Sequence, residues 1–208
     1  GLLYRPSQFD SDRAYPILNY LYPGPQSGSV GSRGFQPVRR DKQAVAELGF
    51  IVVEVDAMGT PGRSKSFHDA YYGNMGDNGL PDQVGTIRQL AAERPWMDLD
   101  RVGIWGHSGG GFASAGAILR YPDFYKVAVS SAGNHDNRNY EDDWGEKWQG
   151  LLETYPEPIT GGADTEAQPV LRTNYDSQAN QLLAENLKGK LLLAHGQLDD
   201  NVPPSNTL

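Results

Sequence analysis

Short apolar runs alternate along this chain with segments of helical period, and that alternation is the strongest constraint on its fold. Tyr15–Tyr22 (YPILNYLY), Phe50–Val55 (FIVVEV), Arg101–Gly106 (RVGIWG), Lys126–Ser131 (KVAVSS) and Lys190–Ala194 (KLLLA) read as strands. FIVVEV is apolar almost throughout, as a strand covered on both faces must be. Between the strands, Asp41–Leu48 places Ala44, Val45 and Leu48 on one helical face and is closed by Gly49. Leu80–Ala92 repeats Leu80, Val84, Ile87 and Ala91 at helical spacing, with Pro81 in the first turn. Gly109–Leu119 is a small-residue helix and Asn180–Leu187 a last one. A Gly/Ser-rich loop runs to about Arg40, residues 56–79 form another loop, and 151–178 are irregular, with room for short helices. This order predicts an α/β fold: a mostly parallel, doubly wound sheet with helices on both faces.

The 208 residues fit a single domain spanning 1–208. With 38% hydrophobic and 21% charged residues, the composition is that of a globular protein and not of a disordered one. A formal net charge of -8, with no basic stripe to offset it, repels phosphate backbones and argues against nucleic-acid binding. The chain has no cysteine, which excludes disulfides, thiolate catalysis and zinc–thiolate sites without fixing the compartment. No apolar run approaches the ~18 residues of a membrane span, and residues 1–20 lack a signal-peptide pattern. The opening Gly1-Leu2-Leu3-Tyr4-Arg5-Pro6 starts mid-stride and reads as cut from a longer protein.

The chemistry centres on Gly106-His107-Ser108-Gly109-Gly110-Gly111. As a bare pattern, G-x-S-x-G is weak in a glycine-rich chain. Here it follows an apolar strand and opens a helix with Phe112, Ala115 and Leu119 on one face, the strand–turn–helix setting of a nucleophile elbow. Such a turn holds its serine in a strained backbone conformation, and glycines two positions to either side remove clashes. The amides of the following helix point at an incoming oxyanion.

A serine hydroxyl needs a base to take its proton, and the base needs a carboxylate to orient it. On this α/β-hydrolase type of fold the chain order is Ser, then Asp or Glu, then His. The acid is expected after a late strand, which puts it in His195-Gly196-Gln197-Leu198-Asp199-Asp200-Asn201-Val202, at Asp199 or Asp200. No histidine follows Asp200; His68, His107, His135 and His195 all precede it. The expectation is that the base lies beyond Leu208, together with a last strand and helix of the fold.

Four blocks carry a resemblance that extends from about Leu3 to Leu208: YPILNYLYPGPQ (15–26), RVGIWGHSGGGF (101–112), Ala132–Gly150 ending WGEKWQG, and LLLAHGQLDDNVPP (191–204). In this order the chain resembles the catalytic domain of the prolyl oligopeptidase family of serine peptidases, in its dipeptidyl peptidase IV branch. The resemblance implies Ser108 as nucleophile and Asp199, the first aspartate of the D-D-N-V run, as the acid. It implies an oxyanion hole made by the Tyr22 hydroxyl and the Gly109 backbone N–H. Tyr140 and Trp144 match two aromatic positions of a wall that grips a proline ring, and Asn201 a position that contacts a substrate carbonyl. Asn137 stands where relatives carry an aromatic, and Trp144 where they carry tyrosine.

The function so implied is hydrolysis of a peptide substrate after proline, of dipeptidyl-peptidase or prolyl-oligopeptidase type, with no metal or cofactor. The Glu141-Asp142-Asp143 run reads as a solvated face and not as a cation site. The alternatives are an esterase or acylaminoacyl-peptidase on the same fold, or an inert piece lacking its base. The family's N-terminal β-propeller is absent from these residues. The resemblance is compatible with a full-length homodimer in the periplasm or secreted.

Overall fold

The computed structural model describes residues 1–23, 25–31, 41–156 and 171–208. Its centre is a six-stranded sheet built from β1 (Leu2–Tyr4), β2 (Tyr15–Tyr20), β3 (Ile51–Glu54), β4 (Met97–His107), β5 (Tyr125–Ser131) and a strand near the end of the chain, β8 (Lys190–Ala194). The order is β1-β3-β2-β4-β5-β8. All neighbours are parallel except β1, which runs antiparallel to β3 with Leu3 opposite Val53. β3 is buried at every position, and β2 alternates buried Tyr15, Ile17 and Asn19 with half-buried partners.

Helices cover both faces, and adjacent residues of β2 display this. Asn19 points to one side, where its amide donates to Gln83 of α3 (Leu80–Ala92) at 3.0 Å and its carbonyl accepts from the Tyr125 hydroxyl at 3.0 Å. Tyr20 points to the other side, under the ammonium of Lys42 in α1 (Lys42–Glu47), 3.6 Å from the ring centroid. Helix α4 (Gly109–Arg120), buried along its whole length up to Leu119, packs with α3 on the Asn19 side. The main core runs through Ile17, Ile51, Ile87, Ile104, Ile118 and Tyr125, all within 1% of full burial.

The expected elements are present with several corrections. The face that α1 buries carries Lys42 and Ala46, whereas Leu48 is 77% exposed. The reason is the Lys42 side chain, which lies over Tyr20 and beside buried Glu54 and so draws its own face of the helix inward. The loop 56–79 holds a one-turn helix, α2 (Lys65–His68), capped by the Ser64 hydroxyl. The described parts of 151–178, residues 151–156 and 171–178, contain two short antiparallel strands, β6 (Thr154–Pro156) and β7 (Leu171–Thr173), after the helix α5 (Asp142–Gln149); residues 157–170 lie outside the described residues. Asn180–Asn186 is a 3₁₀ helix and not an α-helix. The Asn180 N–H donates to the His135 carbonyl and its side-chain amide to the Phe112 carbonyl, so tertiary bonds set the start of that turn. Much of the predicted Gly/Ser loop, residues 32–40, lies outside the described residues.

In an open parallel sheet, sites form beyond the carboxyl ends of the strands. Here that edge gathers Tyr22 after β2, Ser108 after β4, Ala132 after β5 and the 195–202 loop after β8.

Candidate active site

Ser108 sits between β4 and α4 with φ 57° and ψ -122°, a conformation that side chains rarely adopt. Its backbone bonds explain why the bend holds. The Ser108 N–H donates to the Ser131 carbonyl at 2.8 Å, and its carbonyl accepts the Phe112 N–H at 2.9 Å. The flanking glycines are required by contact. A Cβ on Gly106 would lie 2.5 Å from the Gly110 carbonyl oxygen, and one on Gly110 would lie 2.4 Å from that of Leu21. The turn is therefore as sharp as the motif demands, and it leaves Ser108 half-buried at the sheet edge.

Tyr22 faces it. Its hydroxyl lies near enough to the Ser108 side chain to feel it electrostatically, and it accepts from the Gln26 amide at 2.8 Å. Burial pushes the phenol above its ordinary pKa, more than Ser108 and Gln26 pull it down. The group thus keeps its proton at neutral pH and remains a donor. Gly109 lies directly under the ring, where a Cβ would sit 3.6 Å from the Tyr22 Cζ. The Tyr22 ring and the first residue of α4 thus pack against each other beside Ser108.

The 195–202 loop, where the sequence places the acid, follows β8, which is parallel to β5 with Ala194 opposite Ser131. Asp199 Oδ1 accepts the backbone N–H groups of Val202 (2.9 Å) and Asn201 (3.1 Å), while Oδ2 lies 3.4 Å from His195 Nε2. The Val202 amide does most to hold this carboxyl below the ordinary range, against a smaller opposing effect of burial. The Asn201 amide and the imidazoles of His195 and His107 add to it. Asp200 is exposed.

Tyr140 and Trp144 meet edge to face, with ring centroids 5.4 Å apart. The Tyr140 hydroxyl donates to Asn201 Oδ1 at 3.3 Å, and Trp144 shares a small hollow with Gly109, Phe112, Tyr71 and Pro23. The residues named from the sequence are therefore gathered around one strand edge.

The four histidines are each bonded elsewhere. His68 Nε2 meets the Pro25 carbonyl (2.7 Å) and His107 Nδ1 the Ser131 hydroxyl (3.0 Å). His135 is buried between Ser130 and Asn180, and His195 between Thr207 and Val202. Among the described residues, no group of three or more His, Cys, Asp or Glu is placed to hold a metal ion, and no helix is long and apolar enough to cross a membrane.

Sequence reasoning missed the supports of this site. Gln26 had a signal, since it stands four residues after Tyr22 in the YPGPQ block. Asn206 had none: its side chain accepts the Asp136 N–H (3.1 Å) and donates to the Asn139 carbonyl (2.9 Å), fastening the wall ahead of Tyr140 to the end of the acid loop.

The sequence pattern of the prolyl oligopeptidase family matches residues 37–208. This chain belongs to the prolyl oligopeptidase family. Over 208 residues it is 32% identical to Dipeptidyl peptidase 8 of Mus musculus, and likewise 32% to that of Homo sapiens, covering 100% of this chain and 22% of each relative. The crystal structure of Porphyromonas gingivalis dipeptidyl peptidase 4 superposes with a TM-score of 0.80 at 28% identity, over 99% of this chain and 26% of that one. The chain thus spans about a fifth of the length of the curated relatives it matches, and its fold is the α/β-hydrolase fold of this family.

Proposed function

We propose that this chain supplies the nucleophile, the oxyanion hole and the acid of a serine peptidase that cleaves peptide bonds after proline. The observation that carries the reading is Ser108 at a positive-φ elbow with the Tyr22 phenol and Gly109 packed together beside it, two strands from Asp199.

The chemistry follows from those positions. A histidine from the region after Leu208 takes the Ser108 hydroxyl proton as the oxygen attacks the substrate carbonyl carbon. Asp199 orients that imidazole and stabilises its charged form. The oxyanion is held by the Tyr22 hydroxyl and the Gly109 N–H, both present before the charge develops. The imidazolium then protonates the leaving amine as the C–N bond breaks, leaving an ester on Ser108. Water, deprotonated by the same imidazole, attacks the ester and releases the acid product. The exposed Leu192 on β8 beside the acid loop offers a surface on which the histidine-bearing segment packs.

The Tyr140–Trp144 pair supports the preference for proline, because flat rings suit a rigid apolar pyrrolidine. The names of the relatives, dipeptidyl peptidases, support release of dipeptides. The test is a panel of Xaa-Pro amides and short-chain esters given to the full-length protein, with Ser108→Ala as the blank. Serine-dependent Xaa-Pro cleavage is expected. Ester hydrolysis with no Xaa-Pro cleavage would overturn the peptidase reading in favour of an esterase.

A further inference from the structure

The acid loop is closed across its base by a side chain that the mechanism above does not use. His195 leaves β8 and folds under the loop, with its side chain only 7% exposed. Its Nε2 lies 2.9 Å from the Val202 carbonyl and 3.4 Å from Asp199 Oδ2. Its Nδ1 lies 2.7 Å from the Thr207 hydroxyl. A carbonyl can only accept, so Nε2 carries the hydrogen and Nδ1 accepts from Thr207. That N–H goes to the backbone at Val202, with the Asp199 carboxylate 3.4 Å from the same nitrogen, while Thr207 holds the other side of the ring. The other carboxylate oxygen is held by the Val202 and Asn201 amides. Asp199 Oδ1 is thus held by two backbone amides of a loop that His195 ties down at the Val202 carbonyl, and Oδ2 faces the same ring at 3.4 Å.

We propose that His195 is a positioning residue: with Thr207 it fixes the Asp199 carboxylate in the orientation that the catalytic imidazole must meet. The proposal rests on the reading of Asp199 as the acid. A carboxylate free to rotate would orient the imidazole less well and stabilise its charged form less. The loss would therefore fall on the chemical step and not on substrate binding. Other titratable groups near this pair are His107, from the end of β4, and His135, from the turn after β5.

The test compares His195→Leu, which removes both ring bonds, with His195→Gln, which keeps one donor and one acceptor, in the full-length protein. Active sites are counted with a phosphonylating reagent so that rates are expressed per competent site. For the Leu variant, kcat per site is expected to fall about tenfold or more with KM within about twofold. The acid limb of its kcat profile should move to lower pH, because the base loses part of its carboxylate support. The Gln variant should recover most of the rate. Fewer titratable sites with unchanged kcat per site and an unchanged pH profile would assign His195 to folding alone and overturn the proposal, as would a Gln variant no better than the Leu variant. If His195→Leu gives no titratable sites, Thr207→Val decides, with a lower kcat per site expected and an unchanged one overturning the proposal. Asp199→Asn, run in parallel, keeps the two readings apart. Full turnover there removes the acid assignment itself, whereas loss there with unchanged turnover in His195→Leu removes only the role of His195.

Discussion

The backbone N–H of Ser108 is bonded to the carbonyl of Ser131 at 2.8 Å, across neighbouring strands. The amide of the proposed nucleophile is thus spent on holding the elbow to β5. In the proposed mechanism, stabilisation of the oxyanion falls to the Gly109 amide and to Tyr22, whose hydroxyl accepts from the Gln26 amide. Removing the phenol hydroxyl deletes a pre-set donor from a half-buried site. For Tyr22→Phe in the full-length protein, kcat on an Xaa-Pro amide is expected to fall by about 10²–10³ with little change in KM. A KM effect with kcat preserved would mean that Tyr22 serves binding instead.

The elbow glycines should not respond alike to alanine. At Gly106 and Gly110 a Cβ would meet backbone oxygens at 2.5 and 2.4 Å, and neither backbone can retreat without opening the sheet edge. Each Ala variant is expected to lose about 1–3 kcal/mol in denaturant unfolding, together with activity. At Gly109 the added methyl would rest 3.6 Å from the Tyr22 ring, an ordinary contact, and stability should be nearly unchanged.

Backbone strain at Ser108 gives a third expectation. A φ of 57° with ψ of -122° suits glycine far better than serine. Ser108→Gly should abolish turnover and raise unfolding free energy by about 1 kcal/mol, whereas Ser108→Ala should abolish turnover without that gain. Equal stability of the two variants would show that the elbow stores no strain.

Acid sensitivity should trace to His135. Burial lowers its pKa to about 4, with the neighbouring His195 contributing, while an unfolded histidine titrates near 6.5. Between those values the unfolded chain binds more protons than the folded one, so stability falls as the pH drops from about 6.5 towards 4 and changes little from this source outside that window. The full effect is on the order of 3 kcal/mol. Urea unfolding at pH 7 and pH 5 should differ less in His135→Asn than in the wild type, although the variant is less stable at pH 7.

The 208-residue chain by itself holds no histidine bonded to Ser108. It is expected to show no serine-dependent turnover beyond a trace. Activity near that of an intact peptidase, abolished by Ser108→Ala, would contradict the assignment of the base to a later segment.

Much of this architecture was legible because its signals are local. Leu80–Ala92 carries its own helical period and its own Pro81, and Ser108 lies between a strand and a helix that both announce themselves. What escaped depends on contacts distant in sequence. Leu2–Tyr4 is too short to read as a strand and becomes one through β3. The buried face of α1 is decided by a lysine that finds an aromatic ring on β2. Asn206 and Thr207 look like an ordinary turn until folding sets them against Asn139 and His195. The preference for Asp199 over its neighbour rests on resemblance; the bonds from Val202 and Asn201 and the nearby His195 ring are a physical reason that the letters do not contain.

The proposed pairing of Ser108 with Asp199 is tested most directly by following phosphonylation of the full-length protein by intact mass, with the adduct mapped by peptide sequencing. One adduct, on Ser108, is expected, forming several orders of magnitude more slowly in Asp199→Asn. An adduct on another residue, or an undiminished rate in Asp199→Asn, would contradict it.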